Sequence, residues 1–278
     1  EPLWLLKYLP NMPGCHIGIA LEAHGPNNSI THDEASGGLV LGEACNAIRR
    51  NRADVMVAGV TGTRLHTVKA CQSACLDVLA EGPAEQRLRP FDRQRSGEAL
   101  AEAACSLILE SRAHAEARGA KILGTVLACG ASSVAGRDGA ADEAEAVYLA
   151  SRAALERAGV AAADLGHVNA CAAGNPARDR YEALGLRKLL GSAADSVPVT
   201  AIKSYIGSSG SGSSLVELAA SLLSLRDGTI APTLNYSSAD EVAPLNVVHG
   251  SFAKAASGLF LKTSVTRMGQ ASAVVVRV

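Results

Sequence analysis

The chain predicts an α/β fold, and three observations carry that expectation. Short apolar runs of strand length alternate with longer stretches of helical spacing, and the alternation is gone through about twice. The 278 residues are 48% hydrophobic and 19% charged, enough to bury a large core in one or two domains. Aromatic content is only 3% while alanine and glycine are abundant, and cores of small side chains need the close backbone approach of layered helix and sheet folds.

The elements follow in chain order. Trp4, Leu5 and Leu6 precede a Pro/Gly-rich loop, and a short helix is expected around Cys15 to Ala23. Ser29 to His32 reads as a strand, Gly37 and Gly38 let the backbone turn, and a helix runs to Asn51 with Leu39, Val40, Ala44, Ala47 and Ile48 on its apolar side. Val55 to Gly59 is a buried strand, Thr67 to Leu79 a helix stopped by Gly82-Pro83, and Gln86 to Gly97 a polar loop. Ala104 to Glu110 is a strand and Ser111 to Arg118 a helix. A second round opens with the strand Lys121 to Ala131, turns at Gly136-Arg137-Asp138-Gly139 and continues with the helix Ala141 to Ala158. Then come the strand Leu165 to Ala170, a helix Ala177 to Leu190, a strand Val197 to Ile202 and a strongly apolar helix Ser214 to Leu225. Gly258 to Val265 and Ser272 to Val278 close the chain as strands, the last of them central and buried. Two units result, 1–119 and 120–278.

Charge and cysteine usage exclude several classes. A net charge of -1 gives no basic footprint for nucleic acid or a membrane surface. No apolar run reaches membrane-spanning length and the Glu1 start lacks signal-peptide order, so a cytoplasmic protein is expected. Cys15, Cys45, Cys71, Cys75, Cys105, Cys129 and Cys171 are odd in number and scattered, which favours reduced, buried thiols over a disulfide framework. Cys71 and Cys75 lie four apart, but no second Cys or His pair matches them, so no metal is expected, and no cofactor.

One stretch carries more than composition. Gly25-Pro26-Asn27-Asn28-Ser29-Ile30-Thr31-His32-Asp33-Glu34-Ala35-Ser36-Gly37-Gly38 resembles the nucleophile elbow of the β-ketoacyl-ACP synthases, usually GP-x-x-x-I-x-T-A-C-x-S-G, with Glu34 in place of the cysteine. Further motifs fall in the family's order: Asp54 to Gly59, Arg89-Pro90-Phe91-Asp92-Arg93 with Gly97 and Glu98, Leu107 to Glu110, Val168-Asn169-Ala170, and Asn175-Pro176 with Asp179 and Glu182. Ile202-Lys203-Ser204 and Ala231-Pro232-Thr233-Leu234-Asn235 complete the set. The resemblance implies a thiolase-like layered α-β-α-β-α fold with two related halves. In that family an opening half-lobe precedes residue 1, so the first half is expected to be incomplete at its N-terminus, as a fragment, a processed piece, or with the missing segment supplied elsewhere.

The family uses a cysteine to hold the acyl chain and two histidines to decarboxylate the malonyl unit and stabilise the charge that develops. Against its motifs, Glu34 stands at the nucleophile position, Cys171 at the first histidine (Asn169-Ala170-Cys171) and Ser208 at the second (Lys203-Ser204-Tyr205-Ile206-Gly207-Ser208). A carboxylate makes no stable thioester-linked intermediate, a thiol without a histidine is a small core residue, and serine cannot replace imidazole. Lys203, Asp179 and Glu182 match the family's supporting charges and suggest a structural network in which the inward lysine needs a carboxylate. His32, Asp33 and Glu34 are three titratable residues in a row, yet on an extended strand only one parity faces a pocket, so no triad is expected. The closing loop, Thr266 to Ala271, keeps one glycine in register and has gained Arg267. Ser208 to Ser214 has the composition of a phosphate cradle, but in the family it is the turn before a buried helix.

Three readings remain. The first is a non-condensing subunit similar to chain-length factors, paired with an active ketosynthase or with itself and meeting acyl carrier protein. The second is a thioester enzyme, such as a malonyl decarboxylase, using Glu34. The third is an acyl-carrier-binding scaffold. The dimer is expected to form through the strand Asn28 to His32.

Overall fold

In the first half, as seen in a computed structural model that describes residues 9–136 and 139–278, helix α1 (Met12–Ala20) is followed by a segment without regular structure, a 3₁₀ turn (Asp33–Ala35) and helix α2 (Ser36–Arg49). The expectations for Trp4, Leu5, Leu6, Arg137 and Asp138 lie outside the described residues. Strand β1 (Val55–Thr63) leads to α3 (Thr67–Leu76) and α4 (Ala84–Arg87). Strand β2 (Glu102–Glu110) then pairs antiparallel with β1 in unbroken register from Val55 opposite Glu110 to Thr63 opposite Glu102, and α5 (Arg112–Ala117) closes the half.

The second half is richer in strands. It runs β3 (Thr125–Ser133), α6 (Glu143–Ala158), β4 (His167–Asn169), α7 (Arg178–Leu190), β5 (Val199–Thr200), α8 (Lys203–Ile206), α9 (Ser213–Arg226), the small hairpin β6 (Thr229–Ile230) with β7 (Ala253–Lys254), then β8 (Leu259–Val265) and β9 (Gln270–Arg277). Five strands form one mixed sheet in the order β3-β9-β8-β4-β5. All seven residues of β8 are buried, and β9 lies between β3 and β8, which is the central, buried place its composition suggests. Helix α6 is a clean helix for local reasons: Asp142 caps its first turn by accepting from the Glu145 N–H, and Gly159 ends it in the left-handed region at φ 64°.

Two cores follow from this layering. The larger lies between α6, α7 and the five-stranded sheet, built on Ala146, Ala150 and Ala154 against Val168, Leu186, Val199, Leu261 and Val275. The smaller lies where α2 and α9 pack side by side between the two sheets, with Leu41, Leu215, Leu218, Phe260 and Val274 at its centre. Small residues make that approach possible. A Cβ on Gly37 would sit 2.0 Å from the Ser214 hydroxyl, and one on Gly38 2.5 Å from that of Ser272. Both glycines are inside α2, so they serve helix packing and not the sharp backbone turn their sequence position suggests.

Three local expectations are corrected. Ser29 to His32 pairs with no strand among the described residues; its amides turn to side chains instead, Ser29 N–H to Asn28 Oδ1 and His32 N–H to Ser36 Oγ, because a strand exists only where a second one completes its ladder. β1 is not buried throughout. Ala58 and Val60 face the core while Val55 and Val57 are exposed, the alternation of a sheet covered on one face. Of the seven cysteines, all free, only Cys171 is buried, and Cys71 and Cys75 lie exposed on α3.

Candidate functional site

The 3₁₀ turn Asp33–Ala35 sets Glu34 at the entrance of α2, and its side chain is driven inward to 2% exposure. A carboxylate so buried demands counter-charge. Arg64, just beyond the end of β1, donates from Nη2 to Glu34 Oε1 at 2.7 Å, and Arg178 at the start of α7 brings Nη1 to within 3.9 Å of the same oxygen. Glu98 closes the figure: Oε2 lies 3.4 Å from Arg64 Nη1 and Oε1 lies 3.5 Å from Arg178 Nη1. Two acids and two arginines thus form a ring, Glu34 to Arg64 to Glu98 to Arg178 and back. The outer flanks of the ring are tied as well. Arg64 also reaches Asp33 at 3.2 Å and Asp77 at 3.5 Å; Arg178 reaches Glu143 at 3.2 Å and donates to the Val265 carbonyl at 2.8 Å.

The ring decides how the acids titrate. Burial works to raise the Glu34 carboxyl, but Arg178 and Arg64 overcome it and hold the group at about 2. Asp33 goes the other way, pushed up to about 7 by burial and by the neighbouring Glu34 charge against the pull of Arg64 and Arg178. The turn, not a strand, is what brings Asp33 and Glu34 onto one guanidinium. The parity argument that separates them assumes extended backbone, which these residues do not have. His32 is elsewhere, its Nδ1 3.3 Å from Gln270 Oε1, so the three neighbours form no triad.

Cys171 and Lys203 make a second group. Lys203 Nζ donates to the Cys171 carbonyl at 2.8 Å and stands 3.3 Å from Sγ. The carboxylate that answers Lys203 is neither Asp179 nor Glu182 but Glu217 of α9, at 2.6 Å, and Lys262 of β8 holds the other Glu217 oxygen at 2.5 Å. Burial pushes the Cys171 thiol up to about 11 against the pull of Lys203, so it stays protonated at neutral pH and is a poor nucleophile. Glu182 accepts from the Cys171 N–H at 2.8 Å and from the Thr263 hydroxyl at 2.7 Å. Asp179 gathers the N–H groups of Phe91, Ala173 and Gly174 at 2.9 to 3.1 Å. Both acids therefore organise backbone, which suits Phe91, held at φ 61°.

Ser208 is buried, with its amide on the Ala99 carbonyl, its own carbonyl on the Ala101 amide, and a hydroxyl that meets no protein partner. The serine-rich run after it is a turn against β1. Ser211 Oγ donates to the Thr61 carbonyl, a Cβ on Gly62 would meet the Ser209 carbonyl at 2.3 Å, and the Ser208, Ser209 and Gly212 amides are taken by the Ala99 carbonyl, Ser213 Oγ and the Ser209 carbonyl. In the closing loop Arg267 lies 3.4 Å from Asp77, the same acid that reaches Arg64, so the loop is pinned to the edge of the ring.

Arg64, Arg178, Glu217 and Lys262 are absent from the residues sequence reasoning picked. The last two leave a readable signal: a lone acid in the strongly apolar Ser214 to Leu225 helix and a lone lysine in a strand of buried residues must pair when buried. Arg178 adjoins Asp179 inside a motif already singled out, whereas nothing in the local pattern marks Arg64.

Comparison with known proteins now adds to the geometry. The family model "Beta-ketoacyl synthase, N-terminal domain" matches residues 2–115 and "Beta-ketoacyl synthase, C-terminal domain" matches residues 120–237. The chain belongs to the β-ketoacyl synthase family and has its thiolase-like fold. Among curated relatives it is 33% identical over 240 residues to a 3-oxoacyl-[acyl-carrier-protein] synthase 2 of Rhizobium meliloti, covering 84% of this chain and 56% of that protein. It is 36% identical over 251 residues to the oxytetracycline polyketide putative beta-ketoacyl synthase 1 of Streptomyces rimosus, covering 87% and 57%. The chain thus spans little more than half the length of these relatives. Of solved structures, a type II polyketide ketosynthase bound to a hexaketide, in complex with its acyl-carrier protein, superposes with a TM-score of 0.90 at 25% identity over 96% of this chain and 66% of that one. The ishigamide ketosynthase/chain length factor superposes at 0.87 with 26% identity over 97% and 65%. No helix among the described residues is long and apolar enough to cross a membrane.

Proposed function

We propose that this chain is a non-condensing, ketosynthase-like subunit of fatty-acid or polyketide assembly, similar in role to a chain length factor, which pairs with an active ketosynthase and meets acyl carrier protein as part of that pair. One observation carries the reading. Where the family motif has its nucleophile, Glu34 is locked in a ring with Arg64, Glu98 and Arg178, and the two histidine positions hold a protonated thiol and a buried hydroxyl. A condensing site needs a thiolate and imidazoles facing a space for an acyl group; here charged side chains fill that position. The likeness to a ketosynthase/chain length factor structure and to polyketide synthases supports the role.

The geometry weighs against a decarboxylase working through Glu34 itself, because a carboxylate held ionised and buried under two arginines neither donates a proton nor meets a substrate. The segment Asn28 to His32, which pairs with no strand among the described residues, suits a dimer contact with an active ketosynthase. Coexpression with ketosynthases from the same source, followed by size-exclusion chromatography and mass analysis, tests the pairing. A stable heterodimer is expected; a strictly monomeric chain with no affinity for any of them would overturn it.

A further inference from the structure

We propose that Cys45 on α2 and Cys129 on β3 are joined by peroxide into a disulfide that locks the first half of the chain to the second. The inference is independent of the role proposed above.

Helix packing brings the two residues together. Gly38, Gly42, Cys45 and Arg49 follow one another at steps of four, three and four, which is one stripe of a helix. Every other member of that stripe meets the five-stranded sheet. A Cβ on Gly38 would lie 2.7 Å from that of Ser272 on β9, and one on Gly42 would lie 3.4 Å from Cys129 Cβ and 3.9 Å from its sulfur. Arg49 Nη2 donates to the Leu127 carbonyl at 3.2 Å. Cys45 stands between Gly42 and Arg49, so it lies against β3 between Cys129 and Leu127. Side chains on a helix lean towards its N-terminus, which turns the Cys45 sulfur back towards Gly42 and Cys129. Gly42 has no side chain to stand between them. A disulfide needs Cβ atoms within about 3.5–4.5 Å, and helix and strand already approach that closely at Gly42. Both thiols are free.

The charged groups beside the pair are Arg49 on α2 and Arg157 on α6, which donates to the Cys129 carbonyl at 2.8 Å. Neither has a carboxylate partner among the described residues, so their charge is left to act on the thiols. Burial, then the charge of Cys45, pushes Cys129 up to about 12 against both arginines, which agrees with the two sulfurs being neighbours. Cys45 is raised by burial alone and pulled down by Arg49, so it is the thiol that ionises first. In the proposed step the Cys45 thiolate attacks hydrogen peroxide, the O–O bond breaks, and hydroxide leaves and takes up the proton that Cys45 gave, with a sulfenic acid on Cys45. The Cys129 sulfur then bonds to the Cys45 sulfur, the S–O bond breaks, and a second water leaves with the Cys129 proton. The two sulfurs lose two electrons, and one peroxide is reduced to two waters.

The test exposes the reduced, purified 278-residue chain to hydrogen peroxide, alkylates the remaining thiols and maps peptides by mass spectrometry. A Cys45–Cys129 cross-link within one chain is expected, released by dithiothreitol and forming faster at pH about 9 than at pH about 7, since the thiolate is the reactive form. Closure should also raise the urea midpoint, because a cross-link between distant positions restricts the unfolded chain. Cys45→Ser and Cys129→Ser should each lose both effects of peroxide, and the peptide map of the parent decides even where a variant fails to fold. Cys71 and Cys75, exposed on α3, are the internal control. Peroxide that oxidises those two while Cys45 and Cys129 still alkylate, or that cross-links Cys45 to any other cysteine, overturns the proposal.

Discussion

At the scale of single residues the ring around Glu34 is the feature from which most consequences follow. Removing one acid from it strands buried arginine charge, and breaking a buried pair from one side costs about 3–5 kcal/mol. Glu34→Ala should therefore lower the denaturation midpoint sharply without changing its slope, measured by urea unfolding. Acid lability is a second consequence, and three groups set its sign. The folded-state pKa of His167, buried and stacked on Phe260, is lowered by burial to about 3, and that of Glu34 is lowered to about 2. For both, the unfolded chain binds more protons in acid. Stability is complete above the ordinary 6.5 and 4.5 and is lost as pH falls towards the folded values. Asp33, raised to about 7 from 3.8, contributes with the opposite sign, its stabilisation fading as pH rises through that window. Asp33→Asn removes the compensation. Its melting temperature should therefore fall more steeply than that of the parent between pH 6.5 and 4.5, and equal slopes in thermal scans would contradict this assignment.

These residues also show what a sequence can convey. Glu34, Cys171 and Ser208 stand out because motifs around them are intact while they are not, and a substitution inside a preserved frame is legible without coordinates. The partners of buried charges are a different matter. Lys203 announces a need for a carboxylate, but Asp179 and Glu182, nearer in sequence motif, are occupied by backbone amides, and Glu217 wins because α9 lays it against β8 and α8. Arg64 is invisible for the same reason: only the packing of a strand end against a turn 30 residues earlier makes it a ring member.

At the scale of elements, the order of the longer helices and strands is readable from period and turn residues, with limits that shift by a few residues, whereas α4, α8 and the β6–β7 hairpin, two to four residues each, are too short to show a period. The failure at Ser29 to His32 is instructive, since β composition describes a segment that can pair, not one that does. The close approach of α2 to α9 at Gly37 gives a direct test. Alanine favours a helix over glycine by about 1 kcal/mol, yet at position 37 its methyl meets Ser214 and Leu215. Gly37→Ala should destabilise by about 1–3 kcal/mol, as overpacking does, and Ser214→Ala should relieve much of that in a double-mutant cycle. Strand β3, at the edge of its sheet, has its Leu127 and Cys129 carbonyls capped by exposed Arg49 and Arg157 at 3.2 and 2.8 Å. Charged side chains on an edge discourage pairing with other chains. Replacing both arginines with alanine should raise aggregation seen by light scattering at unchanged helix content.

At the scale of the whole molecule, two halves meet along α2 and α9, and the charged groups lie on that seam: the ring joins β1 and the elbow of the first half to α7 of the second, and Glu217 ties α9 to α8 and β8. The halves are therefore tied to each other by ion pairs, Arg178 of the second half closing the ring on Glu34 and Glu98 of the first. The central claim is that this seam is structural and that the chain does not condense. The most direct measurement is mass-spectrometric detection of 3-ketoacyl product after incubation with acyl thioester and malonyl-ACP, for the parent and for Glu34→Cys. Neither should give product, because the cysteine would still face Arg64 and Arg178 with no histidine at 171 or 208; 3-ketoacyl product from the unmodified chain would contradict the account.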